Sequence, residues 1–152
     1  MIKLRYVDLE NAAGTDLGVS SWRTLDQSTI NLFADATSDH QWIHVDEARA
    51  REVFGSTIAH GYLTLSMIPI LATELFEIED AKLMLNYGCE RVRFTAPAPC
   101  GARVRLAQTI SKVEASPEAT KLTFQSTIEL EGSEKPTCVA EVMCLVYPQD
   151  AS

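Results

Sequence analysis

Gly61-Tyr62-Leu63-Thr64-Leu65-Ser66-Met67-Ile68-Pro69-Ile70-Leu71-Ala72-Thr73-Glu74-Leu75-Phe76 reads as a helix with apolar residues on nearly every side. Such a helix has no face to offer to water, so the rest of the chain is expected to enclose it. Pro69 lacks an N–H donor and predicts a kink or one loosened turn.

After Asp80 the hydrophobic period changes to two. Leu83, Leu85 and Tyr87 alternate with Met84 and Asn86, Gly88 suggests a bulge, and Val92 and Phe94 alternate with Arg91 and Arg93. Pro97, Pro99 and Gly101 make a turn, and Val104, Leu106 and Ile110 share one face of the next strand. Ser116-Pro117 turns the chain again. Leu122, Phe124, Ser126, Ile128 and Leu130 then share a face, Glu131-Gly132-Ser133 turns, and Thr137 to Tyr147 forms the last long strand.

Upstream, Gly14 and Gly18 read as turns and Val19 to Arg23 as a short strand. Asp26 is placed to cap a helix running to about Ala36, with Ile30, Phe33, Ala34 and Thr37 as its buried stripe. Asp46 caps a second helix, Glu47 to Val53, which Gly55 ends. Two helices, one enclosed helix and four consecutive strands predict an α+β fold. In it, a meander of antiparallel strands curls round the central helix as a single domain over residues 1–152. The open edges of such a sheet need cover, which predicts a homodimer joined sheet edge to sheet edge.

The composition is that of an ordinary globular domain, 46% hydrophobic and 22% charged, with a net charge of −8 that disfavours nonspecific nucleic-acid or acidic-membrane binding. No apolar run is long enough for a transmembrane helix, and Met1 to Asp8 carries charges where a signal peptide needs apolar residues, so a cytoplasmic location is expected. The four cysteines, Cys89, Cys100, Cys138 and Cys144, form no Cys-x-x-Cys pair and read as small buried hydrophobes in a reducing compartment.

The chemistry concentrates in Thr37-Ser38-Asp39-His40-Gln41-Trp42-Ile43-His44-Val45-Asp46. A carboxylate and an imidazole, with ordinary pKa values of roughly 3.9 and 6.5, can together hold a water, take its proton and return one elsewhere. Asp39 and His44 are the candidate pair. Further on, Ile58-Ala59-His60-Gly61-Tyr62 meets the start of the central helix, whose first N–H groups point outward and can hold an oxyanion. An acid/base pair with an oxyanion site suits proton chemistry beside a carbonyl. Duller readings stand beside this one: Asp39 as a turn residue, His44 as a core histidine, Asp46 as a cap only. His40 and His44 are four apart, but Gln41-Trp42-Ile43 does not read as helix and no third strong ligand is evident, so no metal is expected. No nucleophile elbow, dinucleotide fingerprint or P-loop is present.

Phe33-x-x-x-Thr37-x-Asp39-His40-x-x-Ile43-His44-x-Asp46, followed by Phe54-Gly55-x-x-Ile58-Ala59-His60-Gly61, resembles the MaoC-like dehydratases, the (R)-specific enoyl-CoA hydratase family, and within it the nodulation protein N-like branch. That family usually reads Gly-Asp-x-Asn-Pro-Leu-His in the first block; here Ser38 stands for the Gly and Gln41-Trp42 for Asn-Pro. The resemblance implies a hot-dog fold, a homodimer and reversible addition of water to a trans-2-enoyl-CoA giving the (R)-3-hydroxyacyl-CoA, an activity of fatty-acid metabolism that needs no metal or organic cofactor. It implies Asp39 and His44 as catalytic residues and the Gly61 N–H as donor to the thioester oxygen. His60 is expected to brace the loop before Gly61, and Trp42 and Tyr62 to lie near the acyl chain. A serine that family members carry near the substrate aligns with Pro69, leaving Ser66 or Thr64 as substitutes. Lys82, Arg91 and Arg93 could meet the phosphates of coenzyme A or simply form a solvated strand face. Two other functions remain open on this scaffold, an acyl-CoA thioesterase and a non-catalytic acyl-thioester binding module.

Overall fold

A computed structural model describes residues 1–149. Four long strands follow the period-two segments: β5 (Ala81–Arg93), β6 (Arg103–Ala115), β7 (Thr120–Leu130) and β8 (Cys138–Pro148). Short strands precede them, β1 (Ile2–Leu4), β2 (Asp16–Val19), β3 (Arg23–Thr24) and β4 (Phe76–Ile78), and a short 3-10 helix spans Tyr6–Asn11. The helices are α1 (Gln27–Thr37), α2 (Trp42–Val45), α3 (Glu47–Phe54), α4 (Gly61–Ser66) and α5 (Ile68–Ala72).

The main sheet is antiparallel with the order β2-β6-β7-β8-β5, and β3 pairs with β6 beyond β2. Its inward face carries Val104, Leu106 and Ile110 of β6, Leu122, Phe124 and Ile128 of β7, and Val142 and Val146 of β8. Against that face lie Leu63 of α4 and Ile68, Leu71 and Ala72 of α5. This is the hot-dog arrangement expected of the α+β pattern. Burial of apolar area between helix and sheet holds the layers together.

Several local expectations change. The sheet is a meander only over β6, β7 and β8; β5 crosses to pair with β8 and becomes an edge. The central helix does kink as Pro69 predicts, breaking at Met67 into two short helices, but it ends early: Phe76 already belongs to β4, which pairs in parallel with β1. Nor is it enclosed on all sides, because Tyr62 and Ile70 are exposed. The segment read as one strand from Val19 to Arg23 splits into β2 and β3, and Gly18 sits at a bulge inside β2 rather than in a turn. Thr37 is exposed, its hydroxyl donating to the Phe33 carbonyl. Cys138 and Cys144 are buried as expected, whereas Cys89 is exposed on β5.

The caps behave as their chemistry dictates. Asp26 accepts from the Thr29 N–H and Asp46 from the Arg49 N–H, each satisfying a first-turn donor that has no helical acceptor. Helix α1 ends on Ser38, whose φ of 61° and ψ of 17° lie in the left-handed region. A Cβ is strained there, and the family pattern has glycine at this position. Replacing Ser38 by Gly is expected to raise stability by about 1 kcal/mol in urea denaturation, as relief of that strain outweighs the added freedom of the unfolded chain.

Candidate active site

The left-handed turn at Ser38 ends α1 and swings the chain so that Asp39 stands at the start of a loop, its side chain 55% exposed. Five residues later α2, a single turn that the sequence did not suggest as helix, buries His44. The loop after α3 returns antiparallel to it: the Ile58 N–H donates to the Ile43 carbonyl at 3.0 Å, and the Ala59 N–H to the Ala98 carbonyl at 2.8 Å. His60 then enters the same space and is also buried.

Four contacts lock these groups together. His44 Nδ1 lies 2.6 Å from the Ile58 carbonyl oxygen. A carbonyl can only accept, so Nδ1 carries the proton and, in the neutral ring, Nε2 keeps a bare lone pair. His60 Nε2 donates to the Asp39 backbone carbonyl at 3.0 Å. The two imidazoles stack with centroids 3.7 Å apart, and Phe33 of α1 packs its ring on His60 at 4.9 Å. His60 therefore braces both members of the candidate pair, holding Asp39 by its backbone and His44 by its ring face. The nearest carboxylate oxygen of Asp39 is 4.0 Å from His60 Nε2.

Gln27, at the first turn of α1, adds a support that no sequence signal marked. Its Nε2 donates to the His44 carbonyl at 2.8 Å, and its Oε1 accepts from the Thr57 hydroxyl. Contacts seventeen and thirty residues apart in the chain leave no local pattern to read.

Burial pushes the His44 pKa below its ordinary value; the Ile58 carbonyl opposes this, the neighbouring His60 adds to it and Asp39 opposes it. Burial prevails, and His44 is neutral at neutral pH. An unfolded chain takes up the His44 proton near 6.5, above the folded value. The stabilisation from the neutral ring is therefore complete above that pH and is lost as pH falls towards the folded value.

Gly61 opens α4 immediately after His60, and its N–H is one of the first-turn donors without an intrahelical acceptor. A Cβ built on Gly61 would sit 2.7 Å from Phe94 Cγ, so any larger residue would have to displace that half-exposed ring. Tyr62 is exposed and packs edge-on against Phe94 at 5.4 Å. Trp42 turns away towards α3, stacking on Phe54 at 6.0 Å with the Arg49 guanidinium 4.1 Å above its ring. Thr64 is buried and donates to the Gly61 carbonyl, while Ser66 and Pro69 line a cavity beside the sheet.

The spacing of His40 and His44 brings nothing together: His40 is exposed and pairs with Asp35 at 2.8 Å. The group that does converge is Asp39, His44 and His60, whose potential ligand atoms all lie within 4.8 Å of one another. Distance alone would admit a cation there. Two of the four ring nitrogens are already spent on backbone carbonyls. Arg91 pairs with Glu141 at 3.0 Å, in keeping with a strand face, and Arg93 donates to the Val92 carbonyl. Among the described residues no helix is long and apolar enough to cross a membrane.

Residues 8–130 match the MaoC like domain. The chain is 50% identical over 136 residues to the 3-hydroxyacyl-thioester dehydratase Z of Mycobacterium tuberculosis, covering 88% of this chain and 90% of that protein. It is 39% identical over 150 residues to nodulation protein N of Rhizobium leguminosarum bv. viciae, covering 96% and 93% of the two chains. In three dimensions it is similar to the R-hydratase PhaJ1 from Pseudomonas aeruginosa, with a TM-score of 0.76, 20% identity and coverage of 96% and 87%. The chain belongs to the MaoC-like dehydratases, a family of hydro-lyases.

Proposed function

We propose that this hydro-lyase is an (R)-specific enoyl-CoA hydratase, adding water reversibly to a trans-2-enoyl thioester to give the (R)-3-hydroxyacyl thioester. The observation that carries the reading is a neutral His44, its Nδ1 held by the Ile58 carbonyl and its Nε2 bare, with a ring nitrogen within 4.8 Å of an Asp39 carboxylate oxygen. A water held between them donates one hydrogen to Nε2 and the other to the carboxylate. As Nε2 takes its proton, the water oxygen bonds to the β-carbon, the double-bond electrons move towards the thioester and the oxygen becomes an enolate. The enolate returns its electrons to the α-carbon, which takes the proton back from Nε2. No metal or organic cofactor enters this balance. Asp39 orients the water and offsets the transient positive charge on His44.

The Gly61 N–H supports the enolate oxygen, helped by the close approach that glycine allows. Two similar proteins, a 3-hydroxyacyl-thioester dehydratase and an R-hydratase, support this substrate class. Tyr62, exposed beside Gly61, contacts the acyl thioester in this reading, whereas Trp42, stacked on Phe54, lies outside it. The unpaired thiols suit a cytosolic setting.

Asp39→Asn is expected to lower crotonyl-CoA hydration by about a hundredfold or more, because the amide can neither accept two hydrogen bonds in the same way nor balance the charge on His44. Unchanged turnover in a folded variant removes Asp39 from the mechanism. Release of free coenzyme A thiol, followed with a thiol-reactive dye, would instead mark a thioesterase.

The same reading includes a homodimer. Edge strand β5 exposes Leu83, Met84, Leu85 and Tyr87, and on its open side nothing pairs with it among the described residues. A long apolar edge of this kind is a pairing surface. Sedimentation is expected to show a dimer, and Leu85→Lys is expected to shift it towards monomer; a wild-type monomer at all concentrations contradicts the assignment.

A further inference from the structure

The inward face of the sheet is largely apolar, and a buried amide interrupts it near its middle. Gln108 sits on β6 between Leu106 and Ile110, only 4% exposed. Its Nε2 donates to the buried Ser126 hydroxyl of β7 at 3.0 Å. Its Oε1 has no donor among the described residues. Along β6 the alternation Val104, Leu106, Gln108, Ile110 shows an amide where packing alone calls for another aliphatic side chain. A buried carbonyl without a partner is unfavourable, so its place in the core asks for a donor.

Gln108 lines a cavity between α5 and the sheet, with Ile68, Pro69 and Ala72 on one wall and Phe124 and Val142 on the other. That cavity shares Ile68, Pro69, Asn86 and Val142 with a second of about 310 Å³ that reaches back to Leu65 and Ser66 of α4. The two cavities adjoin along α4 and α5, the helices that follow Gly61, and the inner one, about 30 Å³, ends on the Gln108 amide. Gly61 and Ile68 are seven positions apart, at most roughly 10 Å at 1.5 Å per helical residue, and less across the break at Met67. An acyl chain whose thioester oxygen meets the Gly61 N–H has its remote carbons, and not its reacting ones, at this depth.

We propose that these adjoining cavities receive the acyl chain and that Gln108 determines specificity at their inner end, its Oε1 accepting a hydrogen bond from a hydroxyl on the chain remote from the thioester. This rests on the assignment of an acyl thioester to the site. The apolar walls take the methylenes and the buried Gln108 amide takes the hydroxyl; the other amide on these walls, Asn86, is exposed on β5, its Oδ1 facing Cys144 Sγ. A plain alkyl end brought to the same place leaves the amide without a partner and is disfavoured, because sites built round a buried polar group reject the analogue that lacks its complement.

Calorimetric titration of the full chain with saturated acyl-CoA thioesters from hexanoyl to dodecanoyl, each with and without an ω-hydroxyl, tests this. Saturated chains have no double bond to hydrate, so the readout is independent of turnover, which crotonyl-CoA hydration by the wild type examines separately. At the chain length that reaches Gln108 the hydroxylated ligand is expected to bind about tenfold more tightly than the plain one. In Gln108→Leu the preference is expected to vanish or reverse; Gln108→Met, closer in volume, replaces it if the leucine variant does not fold. Equal affinity of the wild type for both ligands at every length, no binding of either, or a preference that survives in a folded variant overturns the proposal. Equal affinity with normal crotonyl-CoA hydration overturns it alone and leaves the reaction assignment standing.

Discussion

The hydrogen bond from His44 Nδ1 to the Ile58 carbonyl, 2.6 Å long, sets the chemistry of the site. It joins a single turn of helix to a loop that is itself bridged to Pro99 ahead of β6. The protein thereby chooses the tautomer: the proton sits on the nitrogen facing the backbone, and the lone pair faces outward. Burial keeps the ring neutral. Without that bond the imidazole could rotate or protonate, and the carboxylate of Asp39 would stand beside a ring of no fixed role.

The rest of the site keeps this bond in register. Phe33 and the His44 ring hold His60 from two sides, and His60 holds the backbone of Asp39. Gln27 ties the end of α2 to the start of α1 and to Thr57. The candidate pair is therefore carried on helix ends and a bridged loop, each anchored on the hydrophobic layer between sheet and α4–α5. Precise placement of two polar groups depends on a large apolar contact that touches neither of them.

Much of the fold was legible because its signals are local. Asp26, Asp46 and Gly55 mark helix ends through first-turn donors and a left-handed terminus, and the alternation in β6, β7 and β8 marks one buried face. Strand order was not legible: period two states which face is buried, not which neighbour a strand takes, so the crossing of β5 to β8 had no trace. The break at Met67 was announced by Pro69, which stands in the first turn of α5, where its missing N–H needs no helical acceptor. Helix α2 is too short to show a period. In the site, Asp39, His44 and His60 could be singled out by residue type and order, whereas Gln27 and the Ile58 carbonyl act through contacts distant in the chain or through backbone atoms that any residue supplies. Gln108 was visible only as a gap in an apolar face.

The tautomer of His44 is the claim on which the account of the site turns, and nitrogen-15 NMR of imidazole-labelled protein reads it directly. The account predicts a neutral ring at pH 7 with Nδ1 protonated and Nε2 bare, converting to the doubly protonated form only below the ordinary histidine value near 6.5. A His44 protonated on Nε2 at neutral pH, or carrying both protons there, would contradict it.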